Sequence, residues 1–171
     1  MFRVFVAAGS NVEPERHLAV AASALAAAFP GTCFSPAYRN RAVGFEGADF
    51  VNWVATFETG HSVREVRARL QAVETLCGRP RDAPRWAPRT MDLDILLYGD
   101  LVCDEPGLKL PRPDLPRRAY MLGPLADLAP DLRHPTLGAT IGELWARFDQ
   151  AGHPLIRLPT PVPPVAGTVG G

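Results

Sequence analysis

An α+β fold is what this chain predicts. Apolar or alternating runs read as strands, two stretches keep helical spacing, and they follow one another as strand, helix, strand, strand, helix, strand. Phe2 to Ala8 is an unbroken apolar run, the pattern of a buried strand, and Gly9-Ser10-Asn11 ends it. That turn could set backbone amides near an anion, or it could simply connect strand to helix. Pro14 suits the first turn of a helix, in which Leu18, Ala21, Ala22, Leu25 and Phe29 share one face up to Pro30.

Phe34 to Arg39 reads as the second strand, and Asn40 to Asp49, with Gly44 and Gly47, as a loop. Phe50 to Thr59 alternates, so Val51, Trp53, Ala55 and Phe57 face one way and Asn52, Val54 and Thr56 the other. Ser62 and Glu65 form a capping box. The helix they start carries Val66, Leu70, Val73 and Cys77 on one side and Gln71 and Glu74 on another, and Gly78 is placed to end it. Leu101-Val102 and Leu108 to Leu110 flank Pro106-Gly107 as a short hairpin. Thr140 and Glu143 cap a last amphipathic helix with Ile141, Leu144, Trp145 and Phe148. The element order resembles the ferredoxin-like β-α-β-β-α-β plan, an antiparallel sheet with helices packed on it.

The length of 171 residues suits a single domain, expected over 1–152, followed by a Pro- and Gly-rich tail over 153–171 that should be extended or disordered. Eighteen basic and eighteen acidic residues cancel, which argues against nucleic acid or an anionic membrane as partner. A monomer is expected. Cys33, Cys77 and Cys103 are scattered without metal spacing, and no secretory or membrane-spanning run is evident, so a reducing, cytoplasmic setting is expected. Lys109 is the only lysine, and no P-loop motif occurs.

The chemistry concentrates between Arg79 and Asp100, RPRDAPRWAPRTMDLDILLYGD. Arg79, Arg81, Arg85 and Arg89 stand with Trp86 in a Pro-rich loop, and Met91 to Tyr98 follows as a strand. Alternation puts Asp92 and Asp94 on one face, roughly 7 Å apart at Cα, and Met91, Leu93, Ile95 and Leu97 on the other. Two adjacent carboxylates repel unless a cation lies between them. Mg²⁺ is held by one or two carboxylates plus substrate phosphates, and the arginine fork matches phosphate oxygens. The pattern therefore points to phosphoryl chemistry, in which positioning and charge neutralisation do most of the catalysis.

Arg79, Arg81, Arg85-Trp86, Pro88-Arg89-Thr90, Asp92, Asp94-Ile95 and Leu97-Tyr98-Gly99 together resemble the signature of the 6-hydroxymethyl-7,8-dihydropterin pyrophosphokinases. Further similarity lies in Gly9-Ser10-Asn11, Phe50-Val51-Asn52, Arg118 to Leu122 and Pro124-Leu125, so that it spans roughly residues 2 to 148. The resemblance implies the ferredoxin-like fold with extra helices toward the C-terminus. It implies Mg²⁺-dependent transfer of diphosphate from ATP to the hydroxymethyl oxygen of a reduced pterin, with AMP released. On it, Asp92 and Asp94 would hold two Mg²⁺ and, with Arg79 and Arg81, form the catalytic set. Gln71, Glu74, Trp86, Arg89, Ile95, Arg112 and Arg118 would bind ATP. Asn40, Val43 and Asn52 would bind the pterin, stacked between Phe50 and Tyr120.

This chain departs from the pattern in two loops, in one of which Pro116 and Arg117 replace commoner polar residues. Arg112 stands where the family usually has a histidine, and Asn40-Arg41 where Thr-Pro is usual. A guanidinium binds phosphate better than a neutral imidazole but cannot titrate. The departures leave open a paralogue that binds pterin or nucleotide without turning it over, and a ferredoxin-like nucleic-acid binder is disfavoured by the charge balance.

Overall fold

The computed structural model describes residues 1–41, 49–78 and 91–159. β1 (Phe2–Ser10) leads into α1 (Pro14–Ala28), and β2 (Cys33–Phe34) and β3 (Tyr38–Asn40) precede β4 (Phe50–Thr59). α2 (Val63–Leu76) then connects to β5 (Asp92–Tyr98). The sheet runs β5-β1-β4-β3, with β2 also on β4, and its pairings are antiparallel. With β2 and β3 taken as one broken strand, this is the strand order of the ferredoxin-like plan. The expected single strand over Phe34 to Arg39 is split at Ser35-Pro36. Pro36 has no N–H for the ladder, and Ser35 instead makes its backbone and side-chain bonds to Val54, at 2.8 and 2.9 Å.

Helices cover both faces of this sheet. α1 and α2 bury one side, where Trp53 and Phe57 of β4 are wholly enclosed with Leu18, Leu25, Val66 and Leu70. The other side is covered by α3 (Ala119–Leu128) and α4 (Ile141–Arg147) over Phe5, Val54, Leu96 and Leu97. Each large apolar side chain so enclosed stabilises the fold by about 1.5–3 kcal/mol. Both capping boxes are formed, at Ser62/Glu65 and Thr140/Glu143. α3 is one of the extra helices the resemblance implied; Pro124 inside it hides it from helix patterning. Among the described residues no helix is long and apolar enough to cross a membrane.

Two details of register correct the sequence reading. Val6 pairs with Ile95 and Phe5 with Leu97, so Leu96 is an extra residue in a β-bulge. Beyond it the alternation is reset. Leu93 and Ile95 face α1 and α2 as expected, but Leu97 packs on the α3 side. In the hairpin, β6 (Cys103–Glu105) pairs with β7 (Leu108–Leu110) across Pro106-Gly107, with Gly107 at φ 76°. A two-residue turn pairs the residues nearest to it, which excludes Leu101 and Val102.

The expected tail is described as far as residue 159. After turns at residues 150–152 the chain returns to the sheet as β8 (Ile156–Arg157) on β3, and Leu158 N–H donates to Ala37 O at 2.9 Å. Residues 160–171 lie outside the described residues.

Candidate active site

β5 is an edge of the main sheet, and the two aspartates begin it. Asp92 lies opposite Gly9 and Asp94 opposite Ala7 in the β1 register, both carboxylates half-buried on the face away from Leu93 and Ile95. Glycine and alanine are the smallest neighbours β1 could offer. Beside them opens a cleft of about 550 Å³ lined by both aspartates.

At one end the lining is neutral and set on strands. Asn52, only 4% exposed, donates from Nδ2 to Asn40 Oδ1 across the β3–β4 pairing, so the two amides orient each other. Gly9 lies opposite Asn52 on β4, and a Cβ there would stand 2.5 Å from Asn52 Oδ1. The glycine thus leaves room for the amide. Ser10 Oγ donates locally to Val12 O at 3.1 Å, within the segment that joins β1 to α1. Phe50 lies against Gly9 there, and Tyr120 lines the cleft within reach of the Asp94 and Arg112 charges. Burial holds the Tyr120 phenol above its ordinary pKa, and the Arg118 charge works against it.

The opposite end is charged and contributed by a helix and a hairpin. Arg67, Leu70, Gln71 and Glu74 line it from α2 at i, i+3, i+4 and i+7, a single helix face. Glu74 Oε2 also accepts the Leu93 N–H at 2.8 Å, which fixes α2 to the strand between the aspartates. Lys109 and Arg112 enter from the hairpin and the segment after it, and Arg112 Nη1 lies 3.4 Å from Asp94 Oδ1. The Arg67 guanidinium packs over the turn, 3.0 Å from where a Gly107 Cβ would be.

The structure therefore gathers Gln71, Glu74, Ile95 and Arg112 with Asn40, Phe50, Asn52 and Tyr120 around one cleft, the amides on β3 and β4 and the aspartates on β5, the strand that α2 and the hairpin touch. Ile95 contributes little surface, being 7% exposed. Arg118 sits at the start of α3, off the cleft wall but near Tyr120. Arg79, Arg81, Trp86, Arg89 and Val43, all expected at the site, lie outside the described residues. Sequence reasoning missed Arg67, Lys109 and Asp114, all of which line the cleft. Arg67 was within reach, since it continues the helical face of Gln71 and Glu74.

Among the described residues no cluster of three or more His, Cys, Asp or Glu could hold a metal. The donor set is instead two carboxylates on one strand face, which suits an ion that completes its shell with water and ligand oxygens.

Residues 5–130 match the model of the family described as 7,8-dihydro-6-hydroxymethylpterin-pyrophosphokinase. The 2-amino-4-hydroxy-6-hydroxymethyldihydropteridine pyrophosphokinase of Pseudomonas aeruginosa is 44% identical over 161 residues, covering 92% of this chain and 97% of that protein. The Synechocystis protein of the same name is 36% identical over 147 residues, covering 84% and 75%. Among solved structures, wild-type Plasmodium falciparum HPPK-DHPS superposes with a TM-score of 0.64 at 12% identity. That likeness covers 85% of this chain but 44% of the longer one, and it bears on the fold alone. By the family match and the near full-length bacterial relatives, the chain belongs to the 7,8-dihydro-6-hydroxymethylpterin-pyrophosphokinase family.

Proposed function

We propose that this protein transfers a diphosphoryl group from ATP to 6-hydroxymethyl-7,8-dihydropterin, giving the pterin diphosphate and AMP, a step of tetrahydrofolate biosynthesis. The observation that carries this is one cleft lined by Asp92 and Asp94 on β5, by amides on β3 and β4, and by basic side chains from α2 and the hairpin, both of which pack on β5. The amides of Asn40 and Asn52 offer donors and acceptors suited to the edge of a pterin ring, and Phe50 and Tyr120 offer stacking surfaces. Arg112, Lys109, Arg67 and Gln71 suit a nucleotide and its phosphates.

In the reaction the hydroxymethyl oxygen bonds to the β-phosphorus, the bond from that phosphorus to the α,β-bridging oxygen breaks, and AMP leaves with the α-phosphate. The hydroxymethyl proton is lost; Asp94 is the carboxylate proposed to accept it. Asp92 and Asp94 would hold Mg²⁺, two ions in this reading. When bound, Mg²⁺ neutralises triphosphate charge and aligns the attacking and leaving oxygens. Arg112 neutralises phosphate charge from the hairpin side. Stacking and the amide pair hold the pterin still, which converts an encounter into a directed attack.

We place Arg79, Arg81, Trp86, Arg89 and Arg118 with the nucleotide and Val43 with the pterin. The catalytic unit is assigned to residues 1–152. We take the enzyme to act as a monomer, and a reducing compartment is supported by three free cysteines. The test is to mix the purified protein with ATP, Mg²⁺ and the pterin and to separate the products chromatographically. AMP and pterin diphosphate in equal amounts are expected. ADP formation, or tight ATP binding with no AMP, would overturn the proposal.

A further inference from the structure

We propose that Arg112 is a stand-in cation for Asp94, holding that carboxylate before metal binds and turning to a phosphate oxygen when metal and nucleotide arrive together. This rests on the reading above that Asp94 is a Mg²⁺ ligand. It concerns the residue at which this chain departs from its family's usual histidine, and its ground is the geometry around the bulge.

The main chain sets the position. Arg112 N–H donates to Leu96 O at 3.0 Å, and Leu96 is the extra residue of the bulge, two places beyond Asp94. Any side chain at position 112 therefore starts beside the second aspartate. From that anchor the guanidinium reaches Asp94 with one nitrogen, Nη1, at 3.4 Å from Oδ1. A close charge-assisted bond would measure about 2.7–2.9 Å and would often engage both forks of the arginine. The contact is thus loose. Meanwhile Arg112 Nε is buried and has no hydrogen-bond partner, a donor left unmet by the present arrangement.

Those facts describe a group positioned to exchange partners. Both side chains are about one-third exposed, at 33% and 34%, so solvent screens the pair and its attraction is modest. A tighter, fully buried pair would lock Asp94 away from metal. With a neutral residue at 112, a divalent cation would meet the carboxylate without this competing charge. The observed pair lies between these cases: metal alone has to displace a cation, whereas metal arriving with a triphosphate brings the oxygens that Nε and the rest of the fork lack. Arg112 then becomes a positioning residue that couples metal binding to nucleotide binding. A neutral imidazole at this position could not do so.

The experiment is a Mn²⁺ titration of the protein, read from the free Mn²⁺ signal in electron paramagnetic resonance, with and without ATP, on wild type, R112Q, R112K and D94N. Without ATP, R112Q should bind Mn²⁺ about fivefold more tightly than wild type, the scale set by loss of a partly exposed ion pair. R112K, which keeps the charge and the backbone anchor, should stay within about twofold of wild type without ATP, and it covers the case in which R112Q folds poorly. With Mn²⁺ saturating, R112Q should bind ATP about tenfold more weakly, as expected for losing a charge-assisted contact to phosphate, and R112K, which keeps a point charge but not the fork, by less than that. Equal Mn²⁺ affinity of wild type and R112Q without ATP would overturn the exchange. If D94N binds Mn²⁺ with ATP as tightly as wild type, the metal reading of Asp94 fails, and this inference fails with it.

Discussion

The two ends of the cleft are built differently. The neutral end stands on central strands: Asn52 and Asn40 hold each other across β4 and β3, and Gly9 of β1 leaves the amide its space. The cationic end stands on the rim, where α2 and the hairpin send Arg67, Lys109 and Arg112 toward an edge strand. Rigid strands suit a flat ring read by directional hydrogen bonds, because the groups are ordered before binding. Long charged side chains suit a polyphosphate, whose charge can be met in more than one arrangement. The aspartates lie where the two designs meet, so changes at the junction should damage both functions and changes at either end only one.

The largest effect is expected at that junction. Asp94→Ala should lower the rate of AMP formation by about 10³-fold at saturating Mg²⁺, in the range for loss of a group stabilising transition-state charge. A rate within tenfold of wild type would separate the aspartate from the chemistry. Next comes Gly9→Ala, which should disturb the neutral end alone. Its Cβ would collide with Asn52 Oδ1 at 2.5 Å. Overpacking of this kind costs about 1–3 kcal/mol, so KM for the pterin should rise at least about fivefold while KM for ATP stays within about twofold. An equal rise in both would mean that the ends are not independent.

A smaller effect is expected where α2 is fixed to β5. Glu74→Gln keeps an acceptor for Leu93 N–H but removes the charge that strengthens the bond, so stability should fall by about 1 kcal/mol and Tm by about 2–4 °C. An unchanged Tm in differential scanning calorimetry would contradict that role.

The smallest effect lies away from the cleft. His134 is buried, and burial lowers its pKa below the usual 6.5. Its Nδ1 accepts from Thr136 N–H at 3.2 Å, which requires the neutral ring. The unfolded chain takes up a proton below about pH 6.5 while the folded one resists, so this contribution to stability is full above that pH and is lost as pH falls through the lowered folded value. Denaturant titrations between pH 8 and pH 5 should show that loss in wild type and a flatter profile in His134→Gln.

Local pattern made much of this molecule legible. The alternation of Phe50 to Thr59 placed Asn52 and Trp53 on their correct faces, and the same period of two placed Asp92 and Asp94 side by side. Ser62/Glu65 and Thr140/Glu143 marked helix starts because a cap is a bond between residues three apart. What remained hidden depends on partners distant in sequence. The bulge at Leu96 exists only against Phe5 and Val6, and it turns Leu97 to the other side. β8 is two residues long and is defined by β3, and nothing in Pro154 to Leu158 announces it. Lys109 and Arg67 reach one cleft because a hairpin and a helix meet there, which neither segment records by itself.

Where metal binds decides the mechanism most directly. Anomalous diffraction from Mn²⁺ in crystals grown with a non-hydrolysable ATP analogue and the pterin would locate it. The predicted result is density against the carboxylates of both Asp92 and Asp94, between stacked pterin and triphosphate. Mn²⁺ bound elsewhere, with those two side chains touching neither metal nor phosphate, would contradict it.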